Sequence, residues 1–402
     1  MSASCVSFRS ECDNEYAVDS RGSFQKINKQ NRRPQYRRSN TPPGSVNGIH
    51  RRRSSRWTWG HGRASQSQNL RAFAGCALVA VASLWASAAS AGMINVGSST
   101  INMVTVGNPN NAANPSAPSN VAGLGGGSVS YTFEIASTEV TNAQYASFLN
   151  SVARVADPNA LWNASMMISR SGSAGNFSYA PTSSNGNRPV QFVSFRDTFR
   201  FANWLNNAMP NTGTQIASTT ENGAYNMTLP QPTRQAGAQV WIPSVNEWYK
   251  AAYYDPTLNG NGGYTLYPVQ SNTLTASVPA GGSTSANFNN VVGTTTNVGS
   301  YTSAMSAYGL FDMAGNVAER TDTVTGGTYF SMQSSYVGVN SSAASNQAGA
   351  FAAASLTGEN ATTGFRVAAV PEPSTVVLAG MGIASGLIGY YRKKAASRRA
   401  RG

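Results

Sequence analysis

All three cysteines (Cys5, Cys12, Cys76) and both histidines (His50, His61) precede residue 77. The long stretch from residue 92 to 370 must therefore fold without a disulfide. It can build no thiolate or imidazole metal site. It can hold no Ser–His or Cys–His nucleophile pair either. What remains for chemistry there is carboxylates, hydroxyls, Lys250, arginines, or a hard cation such as calcium.

Charge is distributed just as unevenly. The 402 residues carry 29 Lys+Arg and 16 Asp+Glu, a formal net charge of +13. The excess of basic residues lies in 1–91 and 371–402, and the middle is close to neutral. A basic nucleic-acid groove in that middle is excluded, and no nucleic-acid partner is expected.

The two ends read as addresses. Residues 69–91 open with Arg71, continue as an apolar run from Ala72 to Ala86, and close on Ala89-Ser90-Ala91. That order predicts a secretory signal cleaved after Ala91. A transmembrane helix is the alternative, but the run is shorter than the roughly 20 residues a span needs. Residues 1–68, with RRSN at 37–40 and RRRSSR at 51–56, read as a disordered basic leader or as DNA translated from a start codon placed too early. At the other end, in 370–402, Pro371-Glu372-Pro373 precedes an apolar stretch, 376–391, and then Arg392-Lys393-Lys394. Physics alone reads a membrane anchor with its basic cluster on the cytoplasmic side. The same order resembles the PEP-CTERM sorting signal. That resemblance implies recognition and removal of the tail by an exosortase-type membrane protease, with delivery to the cell surface or extracellular matrix.

Between the ends, residues 92–369 are expected to form an irregular single α+β domain with short helices, short strands and long loops. Residues 107–128 read as a loop, and Tyr131–Ile135 alternates as a strand does. Helices are predicted over Thr138–Asn150, Ser194–Asn206 and Ser244–Tyr254. Each has a hydroxyl cap and an early carboxylate (Glu139, Asp197, Glu247), and the last has a full capping box. Trp204, Trp241 and Trp248 are expected in the core. Lys250 reads as a solvated side chain, and Arg366 as a buried arginine paired with a carboxylate. Glu134 and Glu139 could pose as a catalytic pair, but a structural role fits better. Gly123–Gly127 lacks the lysine of a phosphate loop.

Five segments occur in order: Glu139–Tyr145; Pro189-Val190 with Val193–Phe195; Trp241–Trp248; Tyr308–Glu319; and Gly326–Tyr329 with Thr363–Val367. Together they resemble the formylglycine-generating enzyme, or sulfatase-modifying factor, domain. The resemblance implies a much-decorated C-type-lectin-like fold. In catalytic members two cysteines bind copper and oxidise a substrate cysteine. Here Ser331 stands near the first position and Tyr336 or Val337 near the second. A hydroxyl cannot replace a thiolate in soft-metal or redox chemistry, so no copper and no oxidase activity are expected.

The family loop at 309–319 can hold calcium. Carried over, this implies the Asp312 carboxylate, the Gly315 and Val317 carbonyls and the Glu319 carboxylate as ligands. Hard oxygens on a glycine-containing turn suit that ion. The alternative is structural: Asp312 caps the turn and Glu319 bonds backbone amides. The expected function is non-catalytic binding of a peptide, glycan or matrix polysaccharide. The rivals are cysteine-independent chemistry at Ser331, Ser334, Ser335 or Tyr336, and a purely structural surface role.

Overall fold

The computed structural model describes residues 92–117, 123–338, 342–348 and 350–371, with Ser397 and the backbone of two short strands near the N-terminus. The predicted signal, 69–91, and the apolar stretch, 376–391, lie outside the described residues. Among the described residues no helix is long and apolar enough to cross a membrane.

Two units are distinguished. In the first, Met1–Arg71, Tyr16–Val18 (β1) pairs antiparallel with Phe24–Lys26 (β2), inside the stretch expected as a leader. The second unit, Ala72–Gly402, carries the rest.

The second unit begins with Met93–Val96 (β3), Ser99–Val106 (β4) and Phe133–Ala136 (β5). In β4, Ile101 and Met103 are buried and Asn102 between them is exposed, the period-two pattern of a strand with one wet face. The strand expected at Tyr131–Ile135 starts two residues later, at Phe133.

Three helices follow in the predicted places. Asn142–Val152 (α1) is capped by Thr141, not Thr138. Thr141 Oγ1 accepts from the Gln144 amide at 3.3 Å, and the Thr141 amide donates to Gln144 Oε1 at 2.9 Å. Glu139 therefore precedes the helix instead of sitting in its first turn. After the hairpin of Ile168–Ser171 (β6) and Ser178–Pro181 (β7) comes Phe195–Asn206 (α2), capped by Ser194 and Asp197. Val240–Trp241 (β8) leads into Val245–Tyr253 (α3), capped by Ser244 and Glu247. All three caps are reciprocal boxes, two more than the sequence suggested.

Short pairs come next: Tyr254–Asp255 (β9) with Gly263–Tyr264 (β10), and Thr275–Ala276 (β11) with Ser285–Ala286 (β12). The chain ends its fold with Ala318–Thr325 (β13), Thr328–Met332 (β14), Phe351–Ala354 (β15), Thr363–Gly364 (β16) and Ala368–Ala369 (β17). One sheet has the order β3-β4-β5-β17-β8 and is antiparallel throughout. The other has the order β15-β14-β13-β16, with β16 parallel to β13. Many short strands, three short helices among the described residues and long loops bear out the irregular α+β reading.

Aromatic rings fill the space between these elements. Tyr145 and Phe148 of α1 meet Phe201 of α2 with centroids 6.0 and 5.3 Å apart, and Phe365 closes on Phe201 at 5.2 Å. Phe199 stacks on Tyr225 at 4.4 Å. Such offset and edge-on pairs add to the burial of large apolar area. Trp204, Trp241 and Trp248 are all buried, as expected.

Lys250 departs from expectation. It is buried, and its Nζ donates to the Asn108 carbonyl at 2.8 Å. The loop after β4 folds over α3 and excludes water there: Asn114 Nδ2 also reaches the Tyr249 hydroxyl at 2.8 Å. Burial lowers the Lys250 ammonium to about 8.

Candidate functional site

Strand β13 reads AERTDTVT, and its charged residues Glu319, Arg320 and Asp322 are all buried. Buried charge is stable only with partners. Successive side chains of a strand leave on opposite faces, and Glu319 and Arg320 find quite different surroundings.

Glu319 is held by Arg366, the buried arginine expected from the closing motif. The pair is two-pronged, with Arg366 Nη2 to Oε1 at 2.6 Å and Nε to Oε2 at 2.7 Å. Trp248 Nε1 donates to Oε2 at 2.8 Å. Arg366 also donates to the carbonyls of Ala136 and Phe311 at 3.0 and 3.2 Å. The pair thus ties together both sheets, α3 and the 309–319 loop. Asp322 enters a second network. Arg234 Nε reaches it at 2.8 Å and grips Glu247 at 2.7 and 2.9 Å, while the Tyr225 hydroxyl donates to Asp322 at 2.9 Å.

The loop that feeds β13 carries the residues implied as calcium ligands. Asp312, Gly315 and Asn316 take positive φ (56°, 78° and 58°). A Cβ on Gly315 would lie 2.2 Å from the Asn287 carbonyl oxygen, so that position admits only glycine. Asp312 Oδ2 accepts from the Gly299 amide at 2.6 Å. Burial pushes the Asp312 carboxyl up to about 6. The Gly315 amide donates to Ser334 Oγ and to Asn346 Oδ1. Val317 is buried. Glu139 meets this loop: Asn316 Nδ2 donates to its Oε1 at 3.1 Å, and its Oε2 is buried without a hydrogen-bond partner. Burial first, and then Asp312, hold the Glu139 carboxyl well above the usual carboxylate range. Glu134 is engaged elsewhere, accepting from the Gly92 amide at 3.2 Å, so the two do not form a working pair.

Which of these oxygens suit a hard cation? Both Glu319 oxygens already accept from N–H donors, so Glu319 serves Arg366 before any ion. Asp312 keeps a carboxylate on the turn, and Glu139 Oε2 and Asn287 Oδ1 are buried acceptors without donors. Among the described residues no group of three or more His, Cys, Asp or Glu is arranged to hold a metal.

The second candidate lies on the four-stranded sheet. Ser331 of β14 stands directly opposite Arg320 of β13 and directly opposite Ala352 of β15. Residues in register project to one face. Ala318, Arg320, Ser331, Gln333, Ala352 and Thr363 accordingly line one cavity of about 210 Å³. The Arg320 guanidinium packs on the Phe195 ring at 4.4 Å. Its Nη1 donates to Ser331 Oγ at 3.3 Å, and Nη2 donates to the Val193 and Gly358 carbonyls. Burial lowers the Arg320 guanidinium only to about 10, so it stays charged at neutral pH.

This cavity holds one of the four residues considered for altered chemistry. Ser331 lines it. Ser334 bonds Asn346 Oδ1 at 2.6 Å, and Ser335 bonds the Val337 carbonyl at 3.0 Å. The Tyr336 backbone pairs with Asn316 at 2.9 Å. Arg320 is the side chain bonded to Ser331 Oγ, and a guanidinium donates protons but accepts none. Among the described residues that line the cavity there is no carboxylate, imidazole or amine to act as a base for the hydroxyl. Arg320 itself was not picked out from the sequence; its signal was a charge placed between buried neighbours on a strand.

Comparison with known proteins agrees with the fold. Residues 106–370 match the sulfatase-modifying factor enzyme 1-like domain, and residues 369–395 match the PEP-CTERM protein-sorting motif. No curated protein matches the chain. Similar solved structures include Treponema denticola variable protein 1, at 17% identity over 70% of this chain and 99% of that one, TM-score 0.41. CarF aligns at 20% identity over 67% and 98%, TM-score 0.42. PvdO from Pseudomonas aeruginosa aligns at 16% identity over 70% and 100%, TM-score 0.40. The sorting motif implies export, membrane-associated sorting and recognition of the C-terminus by an exosortase. With a match spanning well over half its length, the chain belongs to the family of sulfatase-modifying factor enzyme 1-like domains.

Proposed function

We propose that this exported protein is a non-catalytic binding module. It holds an extracellular peptide, glycan or matrix polysaccharide in the cavity on the four-stranded sheet. One observation carries the reading: at that cavity the hydroxyl of Ser331 faces a guanidinium, with neither thiol nor base beside it. Such a site can donate hydrogen bonds and attract negative charge, but it has nothing to activate a nucleophile. We further propose that the protein works at the cell surface or in the matrix, anchored through residues 376–391 until the tail is processed.

The test is retention on glycan and peptide arrays by wild type and by Ser331→Ala. Selective retention of a ligand, with no chemical change in it, is the expected result. Turnover that needs a metal and vanishes in Ser331→Ala would replace this reading with an enzyme of altered chemistry. Retention of nothing would favour a purely structural role.

Calcium belongs to the same proposal. The support is Asp312 on its positive-φ turn and the unpartnered oxygen of Glu139 beside it. Added calcium is expected to raise the melting temperature of wild type and not of Asp312→Asn. Equal curves with and without calcium in wild type would dismiss the ion. Glu319 variants are unsuited to this test, because they also strand Arg366.

A further inference from the structure

We infer that the cavity at Arg320 and Ser331 recognises the carboxylate of an acidic sugar, with Arg320 as the residue that reads the charge. This rests on the reading of the cavity as a binding site and names the chemistry of its ligand.

Arg320 carries a buried charge: the residue is 2% exposed, yet no carboxylate among the described residues forms an ion pair with it. The carboxylates whose charge reaches Arg320 are hydrogen-bonded by neutral groups: Asp197 by Ser194, and Glu359 by Asn163 at 2.5 Å. Arg320 Nε is buried without an acceptor. The other arginines buried to this degree or nearly so, Arg200 and Arg366, each grip a glutamate. A buried guanidinium lacking its anion is what an anionic ligand would complete, because the charge-assisted bond forms where water is already excluded.

The rim supplies a hydrogen-bond donor. Asn360 Oδ1 accepts from the Thr362 amide and from the hydroxyls of Thr362 and Thr363, at 2.8–2.9 Å. Its acceptor is saturated, and its Nδ2 group makes no hydrogen bond among the described residues. Asn360 is exposed at the mouth. Methyl groups line the same cavity, those of Ala318, Ala352, Ala353 and Ala354. A lining that mixes amide, hydroxyl and guanidinium groups with methyl groups matches a sugar ring, with polar edges and an apolar C–H face. The volume, about 210 Å³, accommodates one sugar ring.

The test is calorimetric titration of the purified chain with D-glucuronate, D-glucose and an acetylated aspartyl dipeptide amide. Glucuronate is expected to bind at least about tenfold more tightly than glucose, and less tightly as salt rises. Arg320→Lys should weaken it about tenfold, since an ammonium cannot offer the planar fork. Ala352→Phe keeps Arg320 and fills the cavity, and should abolish binding. Equal binding of glucose and glucuronate would overturn the assignment of Arg320. Binding of the dipeptide but not of glucuronate would overturn the sugar. Unchanged glucuronate binding by Ala352→Phe would overturn the location. The two readings fail separately. A ligand retained on arrays, lost in Ala352→Phe but not displaced by glucuronate, sinks only the acidic-sugar inference. A ligand retained equally by Ala352→Phe sinks the cavity as the binding site.

Discussion

At the scale of single residues, buried charge organises this domain more than its sparse charged composition suggests. Arg366 and Glu319 are each fully buried and bound on both prongs. Removing one partner leaves the other uncompensated in low dielectric. Glu319→Gln is therefore expected to cost about 3–5 kcal/mol in denaturant unfolding, with loss of the folded state an acceptable extreme. A cost below about 1 kcal/mol, the range of surface pairs, would show that Arg366 finds another partner. Asp197 makes a prediction in pH. Burial raises its carboxyl to about 7 in spite of the bonds from Ser194. The folded-state value lies above the unfolded one, so the folded state keeps a proton that the unfolded chain has lost. Its contribution is thus a penalty, absent below about pH 4, growing through about pH 7 and constant above. Stability should fall over that window, and Asp197→Asn should flatten the fall while leaving an acceptor for the Ser194 amide. An unchanged pH profile in the variant would remove Asp197 as its source.

Elements show what the sequence made legible and what it hid. A hydroxyl cap with an early carboxylate placed all three helices, because capping is local chemistry. The error at α1 is instructive. Thr138 and Thr141 are both plausible caps, and Gln144 decides for the second by returning a bond to the Thr141 amide. Thr141→Ala should cost about 1 kcal/mol and Thr138→Ala much less, measured by thermal unfolding. The reverse order would restore the upstream cap. The strands were harder. Most are two to five residues long; β14 follows β13 across a two-residue turn, but β16 pairs with β13 from 45 residues away. Pairing at that distance leaves no periodic trace. The cavity was invisible for the same reason: Arg320, Ser331 and Ala352 share a face only through register. Lys250 misled because a charged residue on a helix ordinarily faces water, and here a loop that precedes the helix by more than a hundred residues covers it. The five motif segments, by contrast, carried family and fold together.

The whole molecule combines an exported fold with a sorting signal. The PEP-CTERM match at 369–395 overlaps the end of the domain match at 106–370, so the sorting motif begins where the domain ends. Deleting residues 371–402 should leave the domain folded but unsorted, released in soluble form where the full chain is retained with membranes. Equal fractionation of the two would separate sorting from this tail. The domain's own role turns on whether its cavity binds or transforms. The most direct measurement incubates an array-selected ligand with wild type and with Ala352→Phe, then weighs the recovered ligand by mass spectrometry. Wild type should retain the ligand at unchanged mass and Ala352→Phe should not retain it. A ligand returned with altered mass, or held equally by both proteins, would contradict a binding module built on this cavity.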